Sequence, residues 1–543
     1  MRSPAPVGPE ATFEATAERD DSWAGRIFRV RGGRHKRAPR GLVAGAAAVA
    51  VVALLPLGFV VDQAVSVGLG QAERLLIRPL VGTLLVNTVL LTVTATAAAT
   101  VLGIGVAWLV ERTDLPGRRL WAVLAALPIT VPAFVTSYSW VSLTPAVQGF
   151  WGAALIVTLA YYPLIYLPVA AVLRGMDPAL EESARTLGLG PWRTFLRVTL
   201  PQAKLAVLGG ALLVAVHLLA EYGAFAMLRF QTFTTAIYDE YRLSFDGPAA
   251  SMLATVLVAL CLALLLFELR LRGRARYARV GAGAARQAER LRLGRMTPIA
   301  LVGFGALIGV ALGLPLVTLG YWLVRGASTS FPLGSLAGTA GTALELGLGA
   351  AALTTALALP VSILVVRYPG RLATTLERST YFAYALPGIV IALALIIISV
   401  NVMQPLYQTT MLLLVAYALL FLPLALVAVR AALAQAAPAL EENARALGAP
   451  PWRVLVRVTL PLIAPGLGAA AALVFLSTIT ELTATLLLAP IGTQTLATRF
   501  WSDASSFAYG AAAPYAALMV ALSAPPTYIL TRKLGAFEAR SSK

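Results

Sequence analysis

Two glutamates stand where a carboxylate is costly. Glu221 lies in HLLAEYGAFAML and Glu481 in FLSTITELTATLLL, at the same place in two stretches 260 residues apart. A charge at the centre of a bilayer costs about 2.5–3.5 kcal/mol on insertion scales, so it faces a cavity or a partner. Lining a central path, such a pair would attract a cation. Hydrogen-bonded, it would instead pin neighbouring helices. His217, one turn before Glu221, is expected to hydrogen-bond to it rather than to bind metal. Glu345 also falls in an apolar run, without an acidic counterpart. Other chemistry is scarce. The one cysteine, Cys261, lies in an apolar run, and the only histidines are His35 and His217. These numbers exclude a disulfide framework and a Cys or His metal cluster. The four lysines, Lys36, Lys204, Lys533 and Lys543, are never followed by Ser or Thr, as a phosphate-binding P-loop requires. No nucleophile–base constellation points to a membrane enzyme. No cofactor and no metal site are expected.

The elements that position these residues are apolar. Of 543 residues, 59% are hydrophobic and 13% charged, against about half and a quarter in soluble domains. The runs are long and continuous, unlike the short alternating strands of a membrane barrel. The first, from Gly41 to about Val61, is long for a signal peptide and has no prompt cleavage site, so it is read as a retained span. Eleven more follow, at roughly 82–110, 120–142, 151–173, 205–228, 249–269, 298–324, 338–366, 379–400, 408–429, 464–488 and 509–530. Each has at least the roughly 20 residues that a spanning helix needs. The expected fold is therefore an all-α membrane protein with twelve transmembrane helices in two homologous six-helix halves.

The net charge of +18 is a matter of sidedness. With both termini cytoplasmic, 37 of the 43 Lys and Arg fall in inside segments and six outside. The positive-inside rule selects that orientation. Spreading the charge over seven segments leaves little for a nucleic-acid surface. The organisation reads as a disordered cytoplasmic tail (1–40), a first span and external loop (41–80), and a first repeated domain (81–269). A basic cytoplasmic linker (270–297), a seventh span with its loop (298–337), a second repeated domain (338–530) and a cytoplasmic tail (531–543) follow. The linker reads as a connector against anionic headgroups.

One polar loop occurs twice. Pro178–Pro201 reads PALEESARTLGLGPWRTFLRVTLP, and Pro438–Pro461 reads PALEENARALGAPPWRVLVRVTLP; 17 of 24 positions are identical. Asp177 can cap a helix that opens at Pro178. Glu181 and Arg185 are spaced to pair on its exposed face, with Leu180, Ala184 and Leu187 opposite. Gly188 ends it by taking positive φ. A second short helix from Pro191 is expected to stop before Pro201. In the second copy the cap is missing, since Ala437 precedes Pro438. Other repeats are Tyr161-Tyr162-Pro163-Leu164 with Phe421-Leu422-Pro423-Leu424, and Leu127-Pro128 with Leu386-Pro387. Pro128 and Pro387 are candidate bending points inside spans, where freed carbonyls are tolerated beside a water-filled path. Both loops on one side after an even number of spans imply a parallel repeat about the membrane normal.

The loop resembles the EAA loop of binding-protein-dependent ABC importer permeases. Glu182-Ser183-Ala184, Gly188 and Val198-Thr199-Leu200-Pro201 follow its pattern, as do Glu442-Asn443-Ala444, Gly448 and Val458-Thr459-Leu460-Pro461. Ser183 and Asn443 stand where the family has Ala, and Val198 and Val458 where it usually has Ile. The resemblance covers roughly 80–530. It implies a type I ABC importer permease fold, with Glu182, Ala184, Gly188, Pro201, Glu442, Ala444, Gly448 and Pro461 in two loops that dock on an ATPase. It also implies partners: an ABC ATPase subunit in two copies and an extracytoplasmic binding protein, at a bacterial inner membrane. LPITVPAFVTSYSWVSL and TELTATLLLAPIGTQTLATRFW look most like iron(III) permeases, with thiamine, polyamine and sulfate or molybdate permeases close by. Glu221, Glu481, Pro128 and Pro387 are the candidate path residues. A twelve-span secondary transporter is the rival of another class. The doubled loop and the want of a proton-relay array count against it.

Overall fold

A computed structural model of the chain describes residues 38–66, 69–272, 290–326, 332–382 and 386–540. The expected tail up to residue 37, most of the basic linker and the last three residues lie outside the described residues. What is described is almost wholly helical. Among the described residues, eight helices are long and apolar enough to cross a membrane, and ten if two bent pairs each count as one.

The first half runs α1 (Arg40–Ser66), α2 (Pro79–Arg112), α3 (Arg118–Ala126), α4 (Ala133–Leu143), α5 (Phe150–Tyr161) and α6 (Pro163–Gly175). Then come α7 (Ala179–Thr186), α8 (Lys204–Ala220), α9 (Gly223–Met227), α10 (Phe233–Arg242) and α11 (Gly247–Arg272). The second half repeats the order: α12 (Thr297–Ile308), α13 (Leu314–Arg325), α14 (Leu333–Arg367), α15 (Arg371–Phe382), α16 (Gly388–Asn401) and α17 (Thr410–Gln435). It ends with α18 (Pro438–Ala446), α19 (Leu460–Ile479), α20 (Thr483–Leu488), α21 (Leu496–Ser505) and α22 (Tyr509–Arg540).

The count of continuous spans is lower than the count of apolar runs because several runs are broken. The run at 120–142 turns through 88° between α3 and α4. Pro128 sits buried in the tight turn Leu127–Thr130, and Pro132 opens α4. Neither proline can donate a backbone hydrogen bond, so the helix cannot carry through. In the second half Pro387 opens α16, with φ −56° and ψ 147°, against φ −55° and ψ 142° at Pro132. The structural counterpart of Pro387 is therefore Pro132, four residues after the Pro128 that sequence alignment pairs with it. The run at 379–400 is likewise two helices, and α16 alone has only 14 residues.

The halves interlock. α1 lies against α11 of its own half and against α14, α15 and α16 of the other. α13 lies against α22 of its own half and α4 of the other. Each leading helix thus clamps its own half's last helix to the other half's proline-broken helix. The buried apolar side chains accordingly form two clusters that both mix halves. One joins Leu91 through Phe230 to Phe304, Leu319, Phe500 and Met519; the other joins Leu346 through Leu488 to Ala46, Leu84, Phe233 and Cys261. Small residues permit close approach, as in other membrane bundles. A Cβ on Gly103 of α2 would stand 2.9 Å from Ile165 Cβ of α6, and one on Gly210 of α8 would stand 2.8 Å from Ile165 Cα.

Candidate coupling loops and the broken helices between the halves

The two repeated loops fold alike. In the first, Asp177 Oδ1 accepts the Ala179 N–H at 3.0 Å, capping α7. The helix ends when Gly188 takes φ +85°; its N–H donates to Arg185 O at 2.9 Å and the Leu189 N–H to Ala184 O at 3.1 Å. The second loop reproduces this, with Gly448 at φ +83°, Gly448 N–H to Arg445 O at 3.0 Å and Ala449 N–H to Ala444 O at 3.1 Å. This crossed pair of bonds satisfies carbonyls that a helix end leaves open. Ala184 and Ala444 each supply one of the two carbonyls, Arg185 and Arg445 the other, and Ala184 is also buried. α18 has no side-chain cap and starts at Pro438 itself.

Each loop then leads into the next long helix through a widened turn, Phe195–Thr199 and Leu455–Thr459, with i→i+5 bonding. Such turns recur at functional positions. The second short helix does not stop before Pro201, as the sequence suggests, but carries through it to Gln202. There the first half bends by 71° into α8. In the second half the stretch Pro451–Ile479 passes as a single span. Pro201 and Pro461 are both exposed at these entries.

The ion pairing differs from the expected one. Glu181 is buried rather than on the exposed face, and its partner is Arg112, the last residue of α2, at 2.8 Å; both side chains are about 6% exposed. Thr199 Oγ1 donates to the same carboxylate oxygen at 3.0 Å. Glu441 is equally buried and accepts from Arg367, the last residue of α14, at 2.9 Å, with Arg445 at 3.4 Å from its other oxygen. The same Arg367 also donates to Ala436 O at 3.1 Å. In both halves, then, a guanidinium on a long spanning helix grips the first acidic residue of the loop. Sequence reasoning missed both arginines, although each closes an apolar run one helix end away from the motif. Leu180 and Leu187, expected opposite the charges, do lie away from the buried pair, but they are exposed. Leu187 and Leu447 are 84% and 88% exposed, and Trp192 and Trp452 stand out beside them. Glu182 is half-buried and Glu442 exposed.

Glu221 and Glu481 occupy matching breaks. Glu221 follows α8, and its Oε1 accepts the Ala224 N–H of α9 at 2.9 Å; Tyr161 donates its hydroxyl to Oε2 at 2.5 Å. Glu481 follows α19 and accepts the Ala484 N–H of α20 at 3.1 and 3.2 Å; Thr485 donates to Oε2 at 3.3 Å. A carboxylate at a helix N-terminus meets unpaired N–H groups and the positive end of the dipole. His217 is not the partner expected for Glu221: its Nδ1 meets Leu213 O of its own helix at 2.8 Å. Tyr161 takes that role, and its counterpart Phe421 has no hydroxyl to offer Glu481. Instead Tyr417 reaches Thr485 at 2.7 Å. The breaks also meet across the halves. A Cβ on Gly223 would stand 2.9 Å from both Leu482 and Phe134, and one on Gly388, after Pro387, would stand 3.2 Å from Glu481 Oε1. Among the described residues, no group of three or more His, Cys, Asp or Glu is arranged to hold a metal.

A helical bundle with the same grip-and-loop unit twice, and two broken helices facing each other between its halves, defines a membrane transport component. The comparison of families agrees: residues 99–277 and 356–534 each match the family described as binding-protein-dependent transport system inner membrane component, and the chain belongs to it. It is 39% identical to the Fe(3+)-transport system permease protein FbpB 2 of Haemophilus influenzae, over 88% of this chain and 95% of that one. Against the sulfate transport system permease protein CysT of Escherichia coli the identity is 31%, over 41% of this chain and 87% of the relative. The molybdenum transport system permease protein ModB of Escherichia coli shares 33%, over 22% of this chain and 60% of its own.

Proposed function

We propose that this chain is the permease of an ATP-driven importer that carries ferric iron delivered by an extracytoplasmic binding protein. The single observation that carries the reading is the 39% identity to a ferric permease, sustained across both halves and nearly the full length of both chains. The sulfate and molybdenum permeases align with far less of the chain. Two carboxylates at the meeting of the breaks also suit a cation better than an oxyanion.

In this reading twelve helices cross the membrane, the two bent pairs, the short α16 and the last helix α22 being counted with the eight continuous spans, and both termini lie in the cytoplasm. The domain boundaries follow the repeat: permease domains at 81–269 and 338–530, a first helix and external loop at 41–80, a linker at 270–297, a seventh helix with its loop at 298–337, and tails at 1–40 and 531–543. ATP is hydrolysed by a separate subunit, one copy under each loop. Glu182, Ala184, Gly188 and Pro201, with Glu442, Ala444, Gly448 and Pro461, shape the loops that meet it. The exposed Leu187, Trp192, Leu447 and Trp452 enter its grooves. Closure of the ATPase pair pushes both loops, and the Arg112–Glu181 and Arg367–Glu441 grips pass the push to α2 and α14. The substrate path runs between the breaks. Glu221 and Glu481 hold the half-helices that border it, and Pro128 and Pro387 set the bends opposite them. Because both carboxylates are already hydrogen-bonded, they offer the cation a weak field and not a trap.

The test is uptake by proteoliposomes containing this chain, its ATPase and its binding protein. Labelled ferric iron should enter with ATP and not without it, while thiamine and sulfate should not. Uptake of another substrate in preference to iron would refute the substrate. Uptake without ATP would refute the class.

A further inference from the structure

Non-glycine residues rarely take positive φ, because the side chain then crowds the backbone carbonyl. Four do so among the described residues: Arg229, Phe245, Gln408 and Phe507. Two of the four are a repeated pair. α10 and α21 are matching ten-residue helices, each opened by a threonine capping box, Thr232 with Thr235 and Thr495 with Thr498. Each helix ends in a turn whose left-handed residue is phenylalanine, with φ +54° at Phe245 and +61° at Phe507. The residue after each phenylalanine folds its N–H back to the helix, Asp246 to Glu240 O and Ala508 to Asp503 O, both at 2.9 Å. At Phe507, whose own N–H also returns to Ala504 O, this is the helix-ending bond pattern for which the repeated loops use Gly188 and Gly448, while at Phe245 the return reaches one residue further back. Glycine would relieve the backbone strain here too, yet both halves have a bulky aromatic.

Neither ring is packed into the core, though that of Phe507 meets Tyr509 edge to face, 6.2 Å between centroids. Phe245 is 87% exposed and Phe507 61%. Around them lies a polar rim. The Arg229 guanidinium, from the other half, sits 6.0 Å from the Phe507 ring centroid, Arg499 pairs with Asp503 at 3.3 Å, and Arg78 lies 3.8 Å from Glu240. Exposed aromatic anchors within a rim of paired charges have the composition of a protein docking surface. A cation over the Phe507 ring also argues for an aqueous face rather than lipid. Strained non-glycine backbone of this kind persists where function uses it.

We propose that Phe245 and Phe507 are paired anchors for the extracytoplasmic binding protein, one for each of its lobes. That partner class follows from the family. Such proteins close two domains about a hinge, so a two-lobed body meets two half-related anchors. The assignment rests on the importer reading above, with α10 and α21 on the outer face, and goes beyond it in naming the contact.

The experiment uses the complete complex of this chain and its ATPase in nanodiscs, with ATP hydrolysis titrated against iron-loaded binding protein. The variants are F245G, F507G and the double. Glycine suits positive φ, so each variant should melt at the same temperature as the parent or higher, and hydrolysis without binding protein should not change. The half-saturating concentration should rise about tenfold for each single variant, in the range of an aromatic hot spot, and the double should show no stimulation over the same range. F245Y and F507Y, which keep the ring, should retain stimulation. An unchanged half-saturating concentration in the double variant overturns the proposal. So does a lowered melting temperature with stimulation intact, which would make the rings lipid anchors. Failure of the parent complex to respond to any binding protein would overturn the importer reading itself, and would show before any substitution.

Discussion

Removing Arg112 should uncouple ATP hydrolysis from transport, and the size of the effect can be worked from the site. Arg112 and Glu181 are about 6% exposed, with 2.8 Å between Nη2 and Oε1. Truncating one member of a buried pair leaves the other as an uncompensated charge, at about 3–5 kcal/mol, whereas replacing both with apolar groups of similar volume is often neutral. The carboxylate left by R112M keeps only the Thr199 hydroxyl at 3.0 Å. It should leave its site for water, and α7 should come loose from the end of α2. A cost of about 3 kcal/mol is more than a hundredfold in the population of the gripped loop. R112M and E181M should therefore cut iron uptake per ATP hydrolysed by at least about tenfold, with normal membrane insertion. The double variant R112M/E181M should recover much of the stability, read as melting temperature in detergent, because the buried charges are gone together. Coupled transport at the parent ratio in either single variant would refute the grip. A double variant no better than the worse single would show that the cost is not electrostatic.

The remaining predictions concern the same machinery. G188L with G448L should lose ATPase association or coupled hydrolysis, since a branched side chain at φ near +85° costs about 1–2 kcal/mol at each position; nothing lies within 4 Å of a Cβ there, so the asparagine variants, which tolerate this backbone, should be milder, and equal behaviour of Leu and Asn in co-purification would speak against a backbone cause. E221Q with E481Q keeps an oxygen for the Ala224 and Ala484 N–H groups while removing the charge, so uptake should fall with protein level unchanged; unchanged uptake would make the pair purely structural. Y161F, which copies Phe421 of the other half, should lower thermal stability by about 1 kcal/mol and leave ATPase association intact, as read by melting and co-purification. G210V, aimed at Ile165 Cα 2.8 Å away, should reduce the amount of folded protein in the membrane, because backbone cannot yield as a flexible side chain does.

How far the sequence carries is decided by what each feature depends on. The loops are local: proline, glycine and acidic residues at fixed spacing dictate a helix, a left-handed stop and a second helix. Gly188 and Gly448 could be assigned from that spacing alone. Apolar runs also mark where helices lie, because lipid asks for little beyond hydrophobicity. The same indifference hides how the helices pack. A helix that is apolar all round carries no stripe to point at its neighbour, so the crossing of α1 and α13 to the opposite half could not be read. Breaks inside runs were legible only as prolines, which do not say which of two, Pro128 or Pro132, ends the turn.

The Arg–Glu grips were missed for a different reason, and the reason shows how the halves diverged. The loops repeat at 260 residues, but Arg112 and Arg367 are 255 apart, as are Pro132 and Pro387. Five residues have therefore been gained between the bend and the loop of the second half. Three of the five lengthen α16 relative to α4, 14 residues against 11, and two lengthen the turn that follows, 402–409 against 144–149, so that neither grip nor bend is disturbed. The contact that had to survive this change was the one between a spanning helix and its loop, and it survives with a stronger set of donors in the second half. There Glu441 has Arg367 and Arg445, while Glu181 has Arg112 and Thr199. The uncapped α18 is thus held by Arg367, through the Glu441 carboxylate and the Ala436 carbonyl just before the helix, and not by a side-chain cap. Loss of Arg367 should for that reason disorder its loop more than loss of Arg112 disorders the capped α7, a difference that amide hydrogen exchange in the two loops would measure directly.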